Sequence, residues 1–227
     1  MTESVKKEFH YYMFHKPYGC VSARRDTLYP TVMDYFRELD NPNLSPVGRL
    51  DRETEGLLLI TDDGKWNQRM CNPVYGKKKR YSFLVLGELT EEKKERLEQG
   101  IKLIGDDRLT APAEVIIGRQ CQLFQVQNEI HPRVWEKIEK NRPEMPVTFG
   151  EIIITEGRKN QIRRMMKQVN CCVVVLKRLS MGDLELDPAL APGQWKELLP
   201  PDMDRAAVQQ RLSTGDVLDE SVFGPSE

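Results

Sequence analysis

The sequence lacks any apolar run long enough to cross a bilayer. Its longest apolar stretches, Leu57–Ile60 and Cys171–Leu176, have the length of β-strands, whereas a transmembrane helix needs about 20 apolar residues. The first eight residues are polar or charged for the most part and contain no apolar signal segment. We therefore expect no membrane partner and a cytoplasmic location.

Patterns that bind metals or form disulfides are also scarce. The sequence has five cysteines and no Cys-x-x-Cys pair, and its three histidines do not have the spacing of zinc ligands. An odd number of cysteines suits a reducing compartment, and no phosphate-binding glycine loop occurs. We predict neither a metal site nor a cofactor.

Positive charge is not in excess, because 34 basic residues face 35 acidic ones. The charges are unevenly distributed, however. Residues 201–227 contain six acidic and two basic residues, a net of −4, so that residues 1–200 carry +3 of the total of −1. Local clusters of cations matter more than total charge for binding a polyanion, and the cationic runs all precede residue 201.

Strand and helix patterns mix without regular alternation, which favours an α+β sheet protein over a doubly wound fold. We predict a flexible N-terminus over residues 1–8, one catalytic domain over residues 9–200 and an acidic tail over residues 201–227.

Periodicity and turn residues define the expected elements. Strands are predicted at Phe9–Val21, Gly56–Thr61, Lys79–Gly87, Thr148–Thr155 and Cys172–Arg178. Helices are predicted at Thr31–Leu39, Lys65–Cys71, Thr90–Gln99 and Arg158–Val169. A hairpin is expected to join Ala113–Ile117 and Gln122–Gln127 around Gly118-Arg119, and residues 129–146 are interpreted as a surface insertion.

Asp51 is the first candidate catalytic group. It lies in a polar loop bracketed by Gly48 and Gly56, ahead of a buried apolar strand, and loops on rigid strands often carry reactive groups. In an extended loop, Arg49 and Asp51 point to one side and Leu50 to the other. Taken alone, an ordinary surface turn is the commoner explanation of such a motif.

A run of four cations, Lys77, Lys78, Lys79 and Arg80, precedes Tyr81 at the start of a predicted strand. Such a run is usually a solvated surface. It also suits an RNA groove, because phosphates need positive charge and an extruded base needs a ring to stack on.

The segment Glu156–Lys167 carries the third motif. On a helix, Lys159, Arg163 and Lys167 share one face, where like charges repel by roughly 0.2–0.5 kcal/mol per pair. A solvated basic face is the simplest explanation. A polyanion or a buried carboxylate would relieve the repulsion, which modestly favours a functional role.

Together these motifs resemble the pseudouridine synthases of the RsuA/RluB/RluE/RluF group. The similar stretches are Phe14–Gly19, Gly48–Gly64, Lys79–Tyr81, Glu156–Arg158, Gln161–Met165 and Pro192–Trp195. Several motifs in the right order are more specific than any one of them. His15 and Asn170 depart from the asparagine and glycine that are usual in the group.

The resemblance implies a cofactor-free enzyme that converts a uridine in structured RNA to pseudouridine. It implies a mixed, mostly antiparallel sheet with a central cleft between two subdomains. Asp51 would be the catalytic aspartate, Tyr81 would contact the target base, and Arg163 would pair with the aspartate. The expected RNA-binding residues are Arg49, Lys77, Lys78, Lys79, Arg80, Arg158, Lys159, Arg164 and Lys167, with Arg49 near the position that the extruded base leaves.

Within the group, the chain is expected to resemble the large-subunit enzymes of the E type. Many relatives carry an additional N-terminal S4-type RNA-binding domain, whereas the motifs here begin about ten residues into the sequence. The expected partner is ribosomal RNA, most of all 23S rRNA, bound by a monomer.

Two other functions remain open from the sequence. One is a non-catalytic ribosome-assembly factor that binds RNA through the same cations. The other is a magnesium-dependent phosphotransferase or nuclease that uses Asp62 and Asp63 at the end of a strand, although Asp62-Asp63-Gly64 is also an ordinary turn sequence.

Overall fold

The computed structural model describes residues 9–140 and 142–199. The predictions for residues 1–8 and for the acidic tail 201–227 lie outside the described residues.

Nine strands of the described chain form one sheet. They are β1 Tyr11–Lys16, β2 Ser45–Pro46, β3 Glu55–Thr61, β4 Lys79–Leu86, β5 Glu114–Gln122, β6 Pro146–Ile154, β7 Cys172–Met181, β8 Leu184–Glu185 and β9 Trp195–Glu197. The order across the sheet is β5-β6-β4-β7-β3-β1-β9, with β2 paired to β3 and β8 paired to β7.

The sheet consists of two antiparallel halves that meet at one parallel joint. The β3–β7 pairing is parallel and spans two residue pairs, Glu55–Lys177 and Gly56–Arg178, while the other strand pairs are antiparallel. The prediction of an α+β protein with a mixed, mostly antiparallel sheet is therefore confirmed.

Helices cover both faces of this sheet. The α-helices are α1 Gly64–Cys71, α2 Glu91–Glu98, α3 Pro132–Ile138 and α4 Gln161–Gln168, and 3-10 helices occupy Val32–Leu39, Pro73–Tyr75 and Leu123–Glu129. No helix in the described ranges has both the length and the apolar character that crossing a membrane requires.

Strand β3 is buried on both sides. Leu58 and Ile60 belong to the main core cluster, whereas Leu57 and Leu59 belong to a second cluster with Trp66 of α1. Burying a side chain of this size contributes about 1.5–3 kcal/mol. The strand is therefore a rigid base for the loop that precedes it, which contains Asp51.

The predicted hairpin around Gly118 is wrong. Residues 114–122 form the single strand β5, which pairs with β6 along its length and has a register irregularity between Ile117 and Gln120. A Cβ atom on Gly118 would lie 3.2 Å from the carbonyl oxygen of Phe149. Gly118 and Arg119 thus accommodate an irregularity within a strand and do not turn the chain.

Candidate active site

The loop that carries Asp51 is anchored by its neighbour Leu50. The Leu50 side chain is 6% exposed and lies in the main core, while Arg49 is exposed and Asp51 is half-buried. The buried Ser22 hydroxyl donates to the Leu50 carbonyl at 2.9 Å and accepts from the Leu50 amide at 3.0 Å. This burial pattern agrees with the predicted inward direction of Leu50.

Every backbone carbonyl from Leu50 to Thr54 has a hydrogen-bond donor. The Asp51 carbonyl accepts from the Thr54 amide and the Arg52 carbonyl from the Gly19 amide. The Thr54 carbonyl accepts from the Lys16 amine at 2.7 Å. The loop is therefore fixed before any substrate binds, which is the arrangement that favours catalysis by a positioned group.

Arg163 does not pair with Asp51 directly, contrary to prediction. Its guanidinium donates to the carbonyl of Glu53 at 2.9 Å and to that of Val173 at 3.0 Å. Because those carbonyls belong to the Asp51 loop and to the start of β7, Arg163 links the two halves of the sheet. Its charge still acts on Asp51, since among the nearby cations it lowers the pKa of that carboxyl most.

The electrostatic environment of Asp51 has two opposing parts. Burial raises the pKa of the carboxyl, and the charges of Arg163, Lys16, Arg49 and Lys159 lower it, with burial dominating. Asp51 thus has a pKa above its ordinary value in a cationic surrounding.

Asn160 contacts the Asp51 carboxylate and was missed by the sequence reasoning. One end of its side-chain amide lies 2.8 Å from Oδ2 and 3.0 Å from Oδ1 of Asp51, and it is assigned as the nitrogen because an ionised carboxylate only accepts hydrogen bonds. A signal was present in the sequence, because asparagine favours the residue just before a helix. The predicted helix began at Arg158 and enclosed Asn160, whereas α4 begins at Gln161.

Lys16 was missed as well, because a lysine at the end of an apolar strand reads as a surface residue. It is fully buried, and its amine donates to the carbonyls of Pro17 and Thr54. Burial lowers the pKa of Lys16 to about 8, partly opposed by nearby anions that include Glu55 and Asp51.

Tyr81 lies on β4, opposite Arg178 of β7. Its side chain is 7% exposed and belongs to the core cluster that also contains Leu50 and Ile162. The Asp51 loop, β4 and α4 thus converge on one cluster. Little of Tyr81 is therefore open to a substrate base.

Four of the nine predicted RNA-binding residues are engaged within the chain. Lys79 is buried and donates to the Lys77 carbonyl, and Arg80 pairs with Glu151 and Glu185. Arg158 and Arg164 both pair with Asp106. These contacts remove the support for free phosphate-binding roles at these four positions.

The other five cations are available to solvent. Arg49, Lys78, Lys159 and Lys167 are exposed, and Lys77 is half-buried. Lys78 is 4.0 Å from Glu114, a pairing with a side chain that is itself exposed. Lys159 also acts on the Asp51 carboxyl electrostatically, so it lies at the mouth of the site.

Asp62 and Asp63 have structural partners of their own. Asp62 accepts from the backbone and ring of His10 and from Asn41, while Asp63 caps α1 and accepts from the Tyr11 hydroxyl. These bonds account for both carboxylates, and they give the magnesium-dependent alternative no support.

Comparisons with known proteins identify the family of this chain. The family profile described as RNA pseudouridylate synthase matches residues 10–168. Ribosomal small subunit pseudouridine synthase A of Pseudomonas aeruginosa is 34% identical over 193 residues, covering 85% of this chain and 72% of the relative. An uncharacterised RNA pseudouridine synthase of Bacillus subtilis is 36% identical and is covered to 71%.

A solved structure gives the same result. A crystal structure titled pseudouridylate synthase superimposes with a TM-score of 0.69 at 30% identity, covering 86% of this chain and 72% of that one. Sequence and fold therefore agree, and this chain belongs to the RNA pseudouridylate synthase family of isomerases that act on RNA.

Proposed function

We propose that this protein isomerises a uridine of ribosomal RNA to pseudouridine, with Asp51 as the catalytic carboxylate. The observation that carries the proposal is the half-buried Asp51 carboxyl on a loop whose carbonyls are all bonded, next to Asn160 and among four cations.

The chemistry needs no redox change. The bond between uridine N1 and the ribose breaks, the base turns, and C5 forms the new bond to ribose, losing its proton while N1 gains one. A carboxylate that attacks the substrate or removes a proton, in a site that holds the base, is sufficient. The raised pKa of Asp51 brings it closer to the pH at which a general base works best.

Arg49, Lys77, Lys78, Lys159 and Lys167 are the proposed phosphate contacts, because they are the predicted cations that the chain leaves accessible. Extruding a stacked uridine costs a few kcal/mol, and contacts to the neighbouring phosphates would offset that cost. Tyr81 is proposed to contact the base through the small part of its side chain that stays exposed.

The proposed target is small-subunit ribosomal RNA. The P. aeruginosa relative, and a second one from Escherichia coli that is also 34% identical, are named as small-subunit enzymes. The large-subunit prediction is not confirmed. It depended on where the motifs begin in the sequence, which carries no physical information about the RNA helix that is bound.

An Asp51→Asn variant tests the catalytic proposal. We expect no pseudouridine in 16S or 23S rRNA incubated with it, while RNA affinity stays close to that of the wild type because the change is isosteric. The exposed Asp107→Asn is the matched control and should retain activity. Pseudouridine formed by Asp51→Asn would refute the catalytic role of Asp51. If the wild type binds RNA but forms no pseudouridine, the protein would instead be a non-catalytic assembly factor.

The target is tested separately by mapping pseudouridine in both ribosomal RNAs from cells with and without the gene. A site lost from 16S rRNA alone supports the small-subunit proposal, whereas a site lost from 23S rRNA restores the large-subunit one.

A further inference from the structure

Asn160 occupies a position where an asparagine side chain usually caps a helix. It immediately precedes α4, where an asparagine side chain normally accepts a hydrogen bond from the first turn of the helix. Here the side chain makes no such capping bond. It is directed to the Asp51 carboxylate of a loop more than a hundred residues earlier in the chain.

The contact fixes which end of the amide faces the carboxylate. Both oxygens of an ionised carboxylate accept hydrogen bonds and cannot donate them. The atom 2.8 Å from Oδ2 and 3.0 Å from Oδ1 of Asp51 is therefore the amide nitrogen. Contact with both oxygens restricts rotation of the carboxylate as well as its position.

The backbone of Asn160 is held in an uncommon conformation. Its φ of 52° is left-handed, which costs an ordinary residue about 1–2 kcal/mol and is tolerated best by glycine and asparagine. The buried Gln161 side chain holds the segment by accepting from the Arg158 amide and donating to Glu156. Strained residues with such support cluster at functional sites.

The nearby cations cannot do the same job. Lys16 and Arg163 direct their hydrogen bonds to backbone carbonyls, among them those of Thr54 and Glu53, and neither is bonded to the Asp51 carboxylate in the described structure. Arg49 and Lys159 are exposed. These four groups lower the pKa of the Asp51 carboxyl through their charge. Asn160 instead restricts the orientation of that carboxylate.

We infer that Asn160 is a positioning residue that aims the Asp51 carboxylate at the substrate through its side-chain amide. This inference rests on the proposed catalytic role of Asp51.

Asn160→Gly tests it, because glycine keeps the left-handed backbone and removes only the amide. We expect kcat to fall at least tenfold with little change in KM. The acid limb of the pH profile should also move. Asp51 must be ionised to act, so activity is lost as the pH falls through its pKa. Without the amide the ionised form is less stable, and the limb should shift to higher pH.

Asn160→Asp should shift the limb further, because a second carboxylate beside Asp51 disfavours ionisation. The groups that face Asp51 from the packed elements are Arg163, Lys16, Arg49 and Lys159, and all four remain in both variants.

The chain offers a matched control at the other end of α4. Asn170 is exposed and also left-handed, with a φ of 57°. Asn170→Gly and Asn170→Asp make the same chemical changes away from Asp51, and they should keep the wild-type rate and acid limb. Activity is measured as tritium released from RNA labelled at uridine C5.

The outcomes separate the two proposals. If Asp51→Asn is active, the proposed function fails and the role of Asn160 fails with it. If Asp51→Asn is inactive while Asn160→Gly has the wild-type rate or an unmoved acid limb, only the role of Asn160 is overturned. An equal loss of activity in Asn170→Gly would assign the effect to the helix and would also overturn it.

Discussion

Lys16 has an environment far from that of a free lysine side chain. Its amine is fully buried and donates to the carbonyls of Thr54 at 2.7 Å, Pro17 at 3.1 Å and Arg52 at 3.4 Å. A buried ammonium needs hydrogen bonds of this kind to offset its lost hydration. Lys16 thus joins the end of β1 to the Asp51 loop, and the cost of burial is visible in its pKa of about 8.

The lowered pKa of Lys16 predicts a pH-dependent stability. Between pH of about 8 and the ordinary value of 10.5, the unfolded chain holds a proton that the folded chain has released. The contribution of Lys16 to the free energy of unfolding should therefore rise with pH in this window, by at most about 1.4 kcal/mol per pH unit.

The comparison is between the wild type and Lys16→Met by urea denaturation at several pH values. The wild type should gain stability relative to the variant as the pH rises through the window. Lys65→Met, at an exposed position of α1, is the control and should show no such trend. A stability difference for Lys16→Met that is flat with pH would contradict the prediction.

At the scale of single residues, the sequence predicted only features that depend on neighbouring residues in the chain. Asp51 was selected as a candidate because glycines and an apolar strand flank it, its catalytic role was implied by the family resemblance, and Leu50 was correctly expected to be directed inward. Asn160, Ser22 and Lys16 were not found, because each meets its partner across 28 or more residues of chain. No spacing rule encodes such contacts before the fold is known.

At the scale of elements, the cations in α4 and in the segment just before it are of two kinds, those paired within the chain and those exposed to solvent. Arg158 and Arg164, before and within the helix, pair with Asp106 and donate to the carbonyls of Leu109 and Ile104. They tie the loop between α2 and β5 to the helix. Lys159 and Lys167, in contrast, are exposed.

This division predicts different effects on RNA binding. Replacing Lys159 and Lys167 together by glutamine should weaken binding and lower the slope of log affinity against log salt by about 0.7–0.9 for each lost phosphate contact. Replacing Arg158 and Arg164 by glutamine should lower the melting temperature and leave the slope close to that of the wild type. Affinities measured over a salt series decide the point, and equal slopes for the two double variants would contradict it.

Element boundaries were predicted well where local chemistry sets them. Thr90 caps α2 and Asp63 caps α1, close to the predicted helix starts. The start of α4 was placed too early because charged residues from Arg158 onward continue the helical pattern. There the left-handed Asn160, a conformation that depends on its surroundings, sets the boundary. Asn170 stands where glycine is usual in the resembled group. The exchange has a physical reason, because the φ of Asn170 is also positive and glycine and asparagine tolerate that conformation best.

At the scale of the whole molecule, the site lies where the two half-sheets meet. The Asp51 loop enters β3 at this joint, α4 leads into β7 on the other side, and Arg163 bridges them through the carbonyls of Glu53 and Val173. The buried Arg178 adds a bond across the joint, donating to the Leu57 carbonyl at 2.7 Å. A change in the width of the joint would therefore displace Asp51 relative to Tyr81.

Gly56 sets that width. Its φ is 99°, and a Cβ atom there would lie 2.2 Å from the carbonyl oxygen and 2.7 Å from the amide nitrogen of Arg178. Both are backbone atoms, so relief requires the strands to separate. Gly56→Ala should cost about 3 kcal/mol or more of stability, from the left-handed backbone and the overpacking together, and it should lower kcat because the loop moves with the strand.

Gly105→Ala separates the clash from the backbone strain. Gly105 has a similar φ of 82° but open space where the Cβ would go, so its substitution should cost only about 1–2 kcal/mol and leave kcat unchanged. Urea denaturation and tritium release are measured on both variants. The position of Asp51 should depend on the close approach of β3 and β7, which is possible only because residue 56 has no side chain. Equal losses of stability and rate in Gly56→Ala and Gly105→Ala would contradict this prediction.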